Sequence, residues 1–273
     1  MNYSQEVLHV YHHRPKTLLF KLLLAFGIIA LFIWSIPTFD GPLISESGVE
    51  IVIRMFQGLA NPSWEKLFSL KNYHVPYLMY ETVMVAFLGT IIGTAVAIPL
   101  SFVGSRNITN SFVAFLVSVL VVFIRTMPFF VIGLIFIRVV GPGVFAGVLA
   151  IGFTSTGMIT KLYTETVEDM DKGILEALDS TGATQMQKLR AGIVPQLFAN
   201  FVSHSLYRFD INVRNAIILG LISAGRLGFE LQAAIGNFRY QDAGAYLWGI
   251  IIVVMVIEFS SAALRKRLVY GKR

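Results

Sequence analysis

Apolar residues fall into six long runs along the chain, and polar stretches containing proline or glycine separate them. A run of about 20 predominantly apolar residues is long enough to cross a bilayer as a helix. The pattern therefore predicts an all-α protein, a polytopic bundle of about six transmembrane helices. The predicted spans, in chain order, are Leu18–Ile36, Leu78–Val103, Ser111–Val140, Val144–Tyr163, Gln196–Ile222 and Ala243–Leu264.

The connection between the first two runs carries its own helical pattern. Val49, Val52, Ile53 and Phe56 share one helical face, and charged residues occupy the others. This stretch is too short and too polar to span, so it predicts an amphipathic helix on the outer membrane surface. The chain is accordingly predicted to divide into residues 1–77, which hold the N-terminal tail, the first span and this extracytoplasmic connection, and a core at residues 78–273.

The third run is interrupted by Arg125–Pro128. Proline removes a backbone donor and kinks a helix, and a broken helix is tolerated in a membrane where protein or a water-filled cavity satisfies the freed groups. We expect this run to cross once, because a second crossing would place the two basic ends of the chain on opposite sides. Residues 223–242, between the last two spans, are predicted to form a short outer loop.

Composition and charge support a membrane location. Hydrophobic residues make up 55% of the 273 residues and charged residues only 14%, against about 25% charged residues in soluble domains. The net charge of +6 collects at the helix flanks, with Arg14 and Lys16 before the first run and Arg265–Arg267 after the last. Such placement indicates that the basic residues interact with anionic lipid and not with nucleic acid. It predicts a cell-membrane protein with both termini in the cytoplasm.

Three absences in the sequence narrow the possible chemistry and processing of the chain. The chain has no cysteine, which excludes disulfides, thiolate catalysis and cysteine metal sites. The histidines lack convincing partners, so no metal site is predicted. The flank of the first run lacks a small-residue cleavage site, which favours a retained helix over a signal peptide.

Several charges fall inside or at the ends of the predicted spans. A charge at a helix centre costs about 2.5–3.5 kcal/mol, so it usually faces a cavity or a partner. Asp210 and Arg214 are spaced to pair on one helix face. The charged side chains of the fifth span either form an ion-pair network that fixes helix packing or line a polar path for an anion. We assign Asp210 and Arg214 to packing, and Arg125 and Arg208 to the path.

A second pair, Lys161 and Glu165, lies at the end of the fourth span with the same spacing. We interpret it as an ordinary helix-end pair. The chain then stays polar to about Arg190, and two short helices are predicted there, at 172–180 and 184–191. Gly182 suits the turn between them, and Pro195 suits the start of the next helix. This segment is either a solvated loop or a surface that a partner protein grips.

The polar segment resembles the EAA motif of ABC importer permeases. That motif reads Glu-Ala-Ala, three residues, Gly, nine residues, Ile, any residue, Leu-Pro. Glu176, Ala177, Gly182 and Pro195 are in register, while the isoleucine is shifted by one position, to Ile193. Blocks typical of the phosphonate-type permeases of this family lie at Arg125–Pro128, Lys161–Glu165 and Tyr207–Arg214. One residue departs from that group, because Arg226 occupies a usual glycine position after the fifth span.

The resemblance implies a type I ABC importer permease fold. It implies a subunit that translocates phosphonate or a related phosphorus oxyanion, phosphate or phosphite, and is driven by ATP hydrolysis on a separate subunit. The residues implied to contact that ATPase are Glu176, Ala177, Gly182, Ile193 and Pro195. ATP and Mg²⁺ would bind the partner, because this chain lacks the G-x-x-x-x-G-K-[ST] phosphate loop. It is therefore expected to be no enzyme itself and to bind no cofactor of its own.

The expected assembly also follows from the resemblance. One docking loop per chain and two ATP-binding subunits imply a homodimer with two-fold symmetry. An extracytoplasmic substrate-binding protein would deliver the cargo, and membrane lipid would surround the spans. Two alternatives stay open at this point. One is an amino-acid permease of the methionine type, and the other is a channel or secondary transporter that works without ATP.

Overall fold

The computed structural model describes residues 17–36 and 46–270. The chain divides into two compact units, Met1–Val52 and Ile53–Arg273. The first unit contains the apolar helix α1 (Leu18–Ser35) and the beginning of α2 (Glu46–Ala60). The basic residues Arg14 and Lys16, used to predict the side of the N-terminus, lie outside the described residues, so that orientation stays a prediction. The division at residue 77 likewise stays a prediction.

The second unit contains the rest of α2 and the helices that follow it. These are α3 (Trp64–Phe68), α4 (Val75–Gly104), α5 (Ser111–Thr126), α6 (Phe129–Val140), α7 (Val144–Glu168), α8 (Lys172–Ser180), α9 (Gln185–Lys188), α10 (Val194–Leu221), α11 (Arg226–Gly236) and α12 (Tyr240–Tyr270). A π turn, Leu189–Ile193, joins α9 to α10. The described residues contain no β-strand, and the all-α prediction is confirmed.

Four helices are long and apolar enough to cross a membrane, namely α1, α4, α7 and the first 29 residues of α12. Two further candidates are bent pairs, in which α5 meets α6 at 87° and α10 meets α11 at 49°. Counting each bent pair as one span gives six, in agreement with the predicted number. The bend between α5 and α6 falls at Met127 and Pro128, where proline was expected to break the helix.

The expected outer loop at residues 223–242 is wrong, because α11 forms within it. Leu227, Leu231 and Ala234 recur on one side of α11 and are buried. They pack with Leu78 of α4 and Tyr246 of α12 in one hydrophobic cluster. Burial of this apolar stripe stabilises a helix within the stretch that was expected to be a loop.

The second helix of the polar segment also differs from the prediction. The expected helix at 184–191 is interrupted, because α9 ends at Lys188 and the π turn follows. The chain then continues directly into α10, so no loop separates the polar segment from the fifth span.

Helix α7 is the centre of the second unit and packs against α4, α5, α6 and α10. Its closest approach is to α4, where Gly89 and Gly93, four residues apart, face α7. A Cβ atom on Gly93 would lie 2.6 Å from the Cβ of Ser155, and one on Gly89 would lie 2.6 Å from Cγ2 of Ile151. Glycine is therefore required for the two backbones to approach this closely. The contact also places Ser155 at the interface between α4 and α7.

Candidate functional site

The polar segment, residues 169–195, has the local structure that its sequence predicts at the turn. Gly182 has φ +71°, a left-handed conformation that favours glycine. Thr184 and Gln187 form the expected capping interaction, because Gln187 Oε1 accepts hydrogen bonds from the Thr184 backbone N–H at 2.8 Å and from its hydroxyl at 3.0 Å. The segment thus presents two short helices joined by a glycine turn.

The five proposed coupling residues divide into two groups. Glu176, Ala177, Gly182 and Pro195 are exposed, and Pro195 lies in the first turn of α10. Ile193 is 3% exposed and joins a hydrophobic cluster built on Val167, Met170 and Leu197. Four of the residues are therefore open to a partner, while Ile193 attaches the segment to the end of α7.

Arg208 lies near the middle of α10 and is only 9% exposed. Its Nε donates a hydrogen bond to the hydroxyl of Ser155 at 3.2 Å. Within the described part of the chain, this neutral hydroxyl is the single hydrogen-bond partner of Arg208, and no carboxylate lies within ion-pair distance. The positive charge of Arg208 is therefore uncompensated among these residues.

Asn212, which the sequence reasoning missed, organises the surroundings of Arg208. It is completely buried, and its Nδ2 donates to both Ser155 Oγ and Thr90 Oγ1 at 2.8 Å. Thr90 in turn donates to the carbonyl of Ala86 at 2.6 Å. The signal in the sequence was an asparagine four residues after Arg208, on the same helical face of an apolar span. The network joins α4, α7 and α10 through polar side chains.

The predicted pair between Asp210 and Arg214 is present. Arg214 Nη2 lies 3.1 Å from Asp210 Oδ2 and also 3.1 Å from Glu258 Oε2 on α12. The Asp210 side chain is 8% exposed, against 42% for Arg214. Arg214 thus neutralises a buried carboxylate on its own helix and joins α10 to α12.

The pair between Lys161 and Glu165 is also present, with Nζ and Oε1 3.0 Å apart. Both side chains are about half exposed. Pairs of this kind contribute about 0–1 kcal/mol, so the geometry agrees with an ordinary helix-end pair.

Arg125 lies in the last turn of α5, just before the bend. Its side chain is exposed, and among the residues described it has no hydrogen-bond or ion-pair partner. Its Cγ runs along α7 at Gly157, 3.2 Å from where a Cβ would be. Gly157 lies about 200° around the axis of α7 from Ser155, because each residue turns about 100°. The structure therefore places Arg125 and Arg208 on opposite sides of α7 and does not bring them together.

Arg226, the departure from the expected glycine, has partners on α4. Its Nη1 lies 3.4 Å from Glu81 Oε2 and donates to the hydroxyl of Tyr77 at 3.4 Å. The Glu81 side chain is 14% exposed. Arg226 therefore connects the start of α11 to α4 at the end of the bundle away from the polar segment.

A second connection at that end joins α3 to α12. Lys66 Nζ lies 2.8 Å from Asp242 Oδ2. Partial burial acts to lower the pKa of Lys66, but the hydrogen bond to Asp242 and the charges of Tyr246 and Asp242 outweigh it and leave the pKa above its ordinary value. Lys66 is therefore fully charged at neutral pH and holds α3 in place.

No group of three or more histidine, aspartate or glutamate side chains within the described ranges is arranged to hold a metal ion.

Comparison with known proteins gives a consistent picture. The family model described as "binding-protein-dependent transport system inner membrane component" matches residues 89–271. The chain resembles the phosphite transport system permease protein PtxC of Stutzerimonas stutzeri, with 30% identity over 90% of this chain and 88% of that protein.

A second relative is the phosphate-import permease protein PhnE of Mycolicibacterium smegmatis, with 30% identity over 88% of this chain. This chain spans only 44% of that protein's length. Among solved structures, a chain of the MetNI methionine ABC transporter in an inward-facing conformation aligns with a TM-score of 0.62 and 20% identity, covering 71% of this chain and 95% of that chain. At this identity the likeness shows the fold, which is that of a type I ABC importer permease.

Proposed function

Because this chain belongs to the family of binding-protein-dependent transport system inner membrane components, we propose that it is the permease subunit of an ABC importer for phosphonate or a related phosphorus oxyanion. Phosphate and phosphite are the related cargoes, and two relatives carry these anions in their names. The observation that carries the proposal is Arg208, a buried cation in mid-span with only a neutral hydroxyl as partner.

The argument from Arg208 is energetic. A charge at a helix centre costs about 2.5–3.5 kcal/mol on insertion scales, and it is normally offset by a cavity or a counter-ion. An oxyanion passing along α10 would be such a counter-ion, and a guanidinium offers it two parallel donors. Asn212 keeps Ser155 and Thr90 in place, so the guanidinium is held in one orientation. Arg125 supplies positive potential on the other side of α7.

The polar segment couples ATP hydrolysis on the partner subunit to transport through the helices. ATP and Mg²⁺ bind a separate ATPase subunit, which docks on the exposed residues Glu176, Ala177, Gly182 and Pro195. Ile193 passes the movement of the docked segment to α7 through its buried contacts. Because α9, the π turn and α10 form one continuous helical path, movement also reaches Arg208 without crossing a loop.

The proposed assembly is a homodimer with two ATPase subunits on the cytoplasmic face, where both termini also lie. An extracytoplasmic binding protein delivers the anion to the opposite end. The single polar segment of this chain supports the homodimer, because each ATPase subunit needs a docking site of its own.

Uptake by the complete importer in proteoliposomes tests this function. We expect ATP-dependent uptake of phosphonate, phosphite or phosphate that requires the binding protein, and none of methionine. Uptake of methionine without any phosphorus oxyanion would contradict the proposed cargo. Uptake by this chain alone, without ATPase or ATP, would instead identify a channel or secondary transporter.

A further inference from the structure

A basic cavity lies between the end of α4, α5 and α7, on the side of α7 away from Arg208. Its volume is about 310 Å³. The polar residues that line it are Arg106, Ser118, Arg125, Lys161, Thr164 and Glu168. It extends from the polar-segment end of the bundle, at Arg106 and Glu168, to Arg125 beside the bend in the third span.

The cations of this cavity outnumber its anions. Neither the Arg106 nor the Arg125 guanidinium has a hydrogen-bond or ion-pair partner among the residues that the structure describes. The carboxylate of Glu168 accepts a hydrogen bond from the backbone N–H of Arg106 at 3.0 Å. Lys161 is paired with Glu165 at 3.0 Å. The two guanidinium groups therefore face one space in which Glu168 is the single lining carboxylate, so positive charge is in excess there.

The backbone explains why Arg125 points into this cavity. Gly157 leaves room on α7, where a Cβ would meet Ile124 at 2.7 Å and the Arg125 stem at 3.2 Å. The stem can thus run along α7 toward Lys161, one turn farther on. An unpaired guanidinium in a membrane span is costly, and an anion held between Arg106 and Arg125 would remove that cost.

The chemistry of the lining selects the anion. Guanidinium groups match tetrahedral phosphate oxygens with two parallel hydrogen bonds each, and the hydroxyl of Ser118 is a further donor. The Thr164 hydroxyl donates to the carbonyl of Ser101 at 3.5 Å. A volume near 310 Å³ is at the small end of ligand sites, so it suits a phosphate group and not a large organic anion. We propose that this cavity binds a phosphate group, either as a free oxyanion or as the headgroup phosphate of an anionic phospholipid.

The two sources have different consequences. A free oxyanion would make the cavity a binding station for cargo, and this form of the proposal rests on the proposed importer function. A phospholipid would make it a lipid site beside the bend, whatever the cargo is. The experiment therefore measures both ligands on the same variants.

The full-length chain is purified, and two measurements are made. Equilibrium binding of radiolabelled inorganic phosphate is followed in detergent, and bound phosphatidylglycerol is detected by native mass spectrometry from nanodiscs of phosphatidylcholine and phosphatidylglycerol. We expect saturable binding of at least one ligand, weakened at least tenfold by Arg106→Gln and by Arg125→Gln. Arg125→Lys keeps the positive charge but loses the two parallel N–H donors of the guanidinium, so it should bind the ligand with intermediate affinity. This variant replaces Arg125→Gln in the test if Arg125→Gln does not fold.

Arg267→Gln is the matched control, because it removes one exposed positive charge outside the cavity and should bind as the wild type does. Phosphate binding that depends on both arginines identifies a free-anion site, and phosphatidylglycerol binding that depends on them identifies a lipid site. Saturable binding of neither ligand would overturn the proposal. Binding that is lost in Arg208→Gln but intact in the Arg106 and Arg125 variants would also overturn it, while leaving the proposed import function standing.

Discussion

Two arginines on helix α10 are expected to affect stability in opposite directions. Arg208 carries an uncompensated buried charge, whereas Arg214 neutralises the buried carboxylate of Asp210. Replacing either residue by methionine removes one positive charge from the same helix and keeps a long flexible side chain. The pair of variants therefore distinguishes an arginine that binds a transported anion from an arginine that stabilises helix packing.

The magnitudes follow from the contacts. Arg208→Met relieves a buried-charge cost of about 2.5–3.5 kcal/mol and loses one charged hydrogen bond to Ser155 worth about 1.5–3 kcal/mol. The balance lies between near-neutral and about 2 kcal/mol of added stability. Arg214→Met leaves Asp210 without its cation, and because Arg214 is partly exposed we expect a loss of about 1–3 kcal/mol, less than for a fully buried pair.

Reversible unfolding of the full chain in mixed micelles, titrated with SDS, measures both changes, and proteoliposome uptake by the complete importer measures transport. Arg208→Met should fold at least nearly as stably as the wild type and lose most uptake. A loss of stability above about 2 kcal/mol in Arg208→Met would show that Arg208 holds the helices together. Wild-type uptake in the same variant would refute its place on the anion path.

Three further predictions each compare variants at one contact or one turn. Gly182→Val places a branched side chain at φ +71° and should uncouple ATP hydrolysis from uptake. Gly182→Asn should retain most uptake, and equal uptake by the two variants would contradict the coupling role of Gly182. A double-mutant cycle of Arg226→Gln and Glu81→Gln in unfolding titrations should give a coupling energy between the two residues of about 0.5–2 kcal/mol. If the two losses of unfolding free energy are additive, the ion pair contributes nothing to stability. Gly228→Ala brings a Cβ to 2.5 Å from the backbone of α10 and should destabilise by about 1–3 kcal/mol. Gly236→Ala at the end of the same helix meets nothing within 4 Å and should leave stability unchanged or raise it by up to about 1 kcal/mol.

Local patterns in the sequence predicted much of this architecture. The six apolar runs, the boundaries of α8 at Lys172–Ser180 and the pairing of Asp210 with Arg214 depend on residues that are close in the chain. Helical periodicity and spacing of four residues carry this information directly. The break before Pro128 was visible for the same reason, but its angle of 87° depends on packing against α7 and was not.

Contacts between distant residues could not be predicted. Asn212 and Thr90 are 122 positions apart, and Arg226 and Tyr77 are 149 positions apart, so nothing local indicates that they meet. Helix α11 was not predicted, because its stability depends on contacts with residues that are distant in the chain. Its short apolar stripe is stabilised by α4, α10 and α12, which a single sequence does not place beside it.

The π turn at Leu189–Ile193 changes how this chain should be aligned with others. A π turn takes one residue more than an α turn, so side-chain directions after it lag by about one position. Ile193 therefore points where residue 192 would point in an uninterrupted α-helix, and its side chain packs against Val167 and Leu197. A column-by-column comparison with the motif pairs Gly192 with its isoleucine and counts a mismatch, whereas the extra residue of the π turn lets Ile193 take the buried position in this chain.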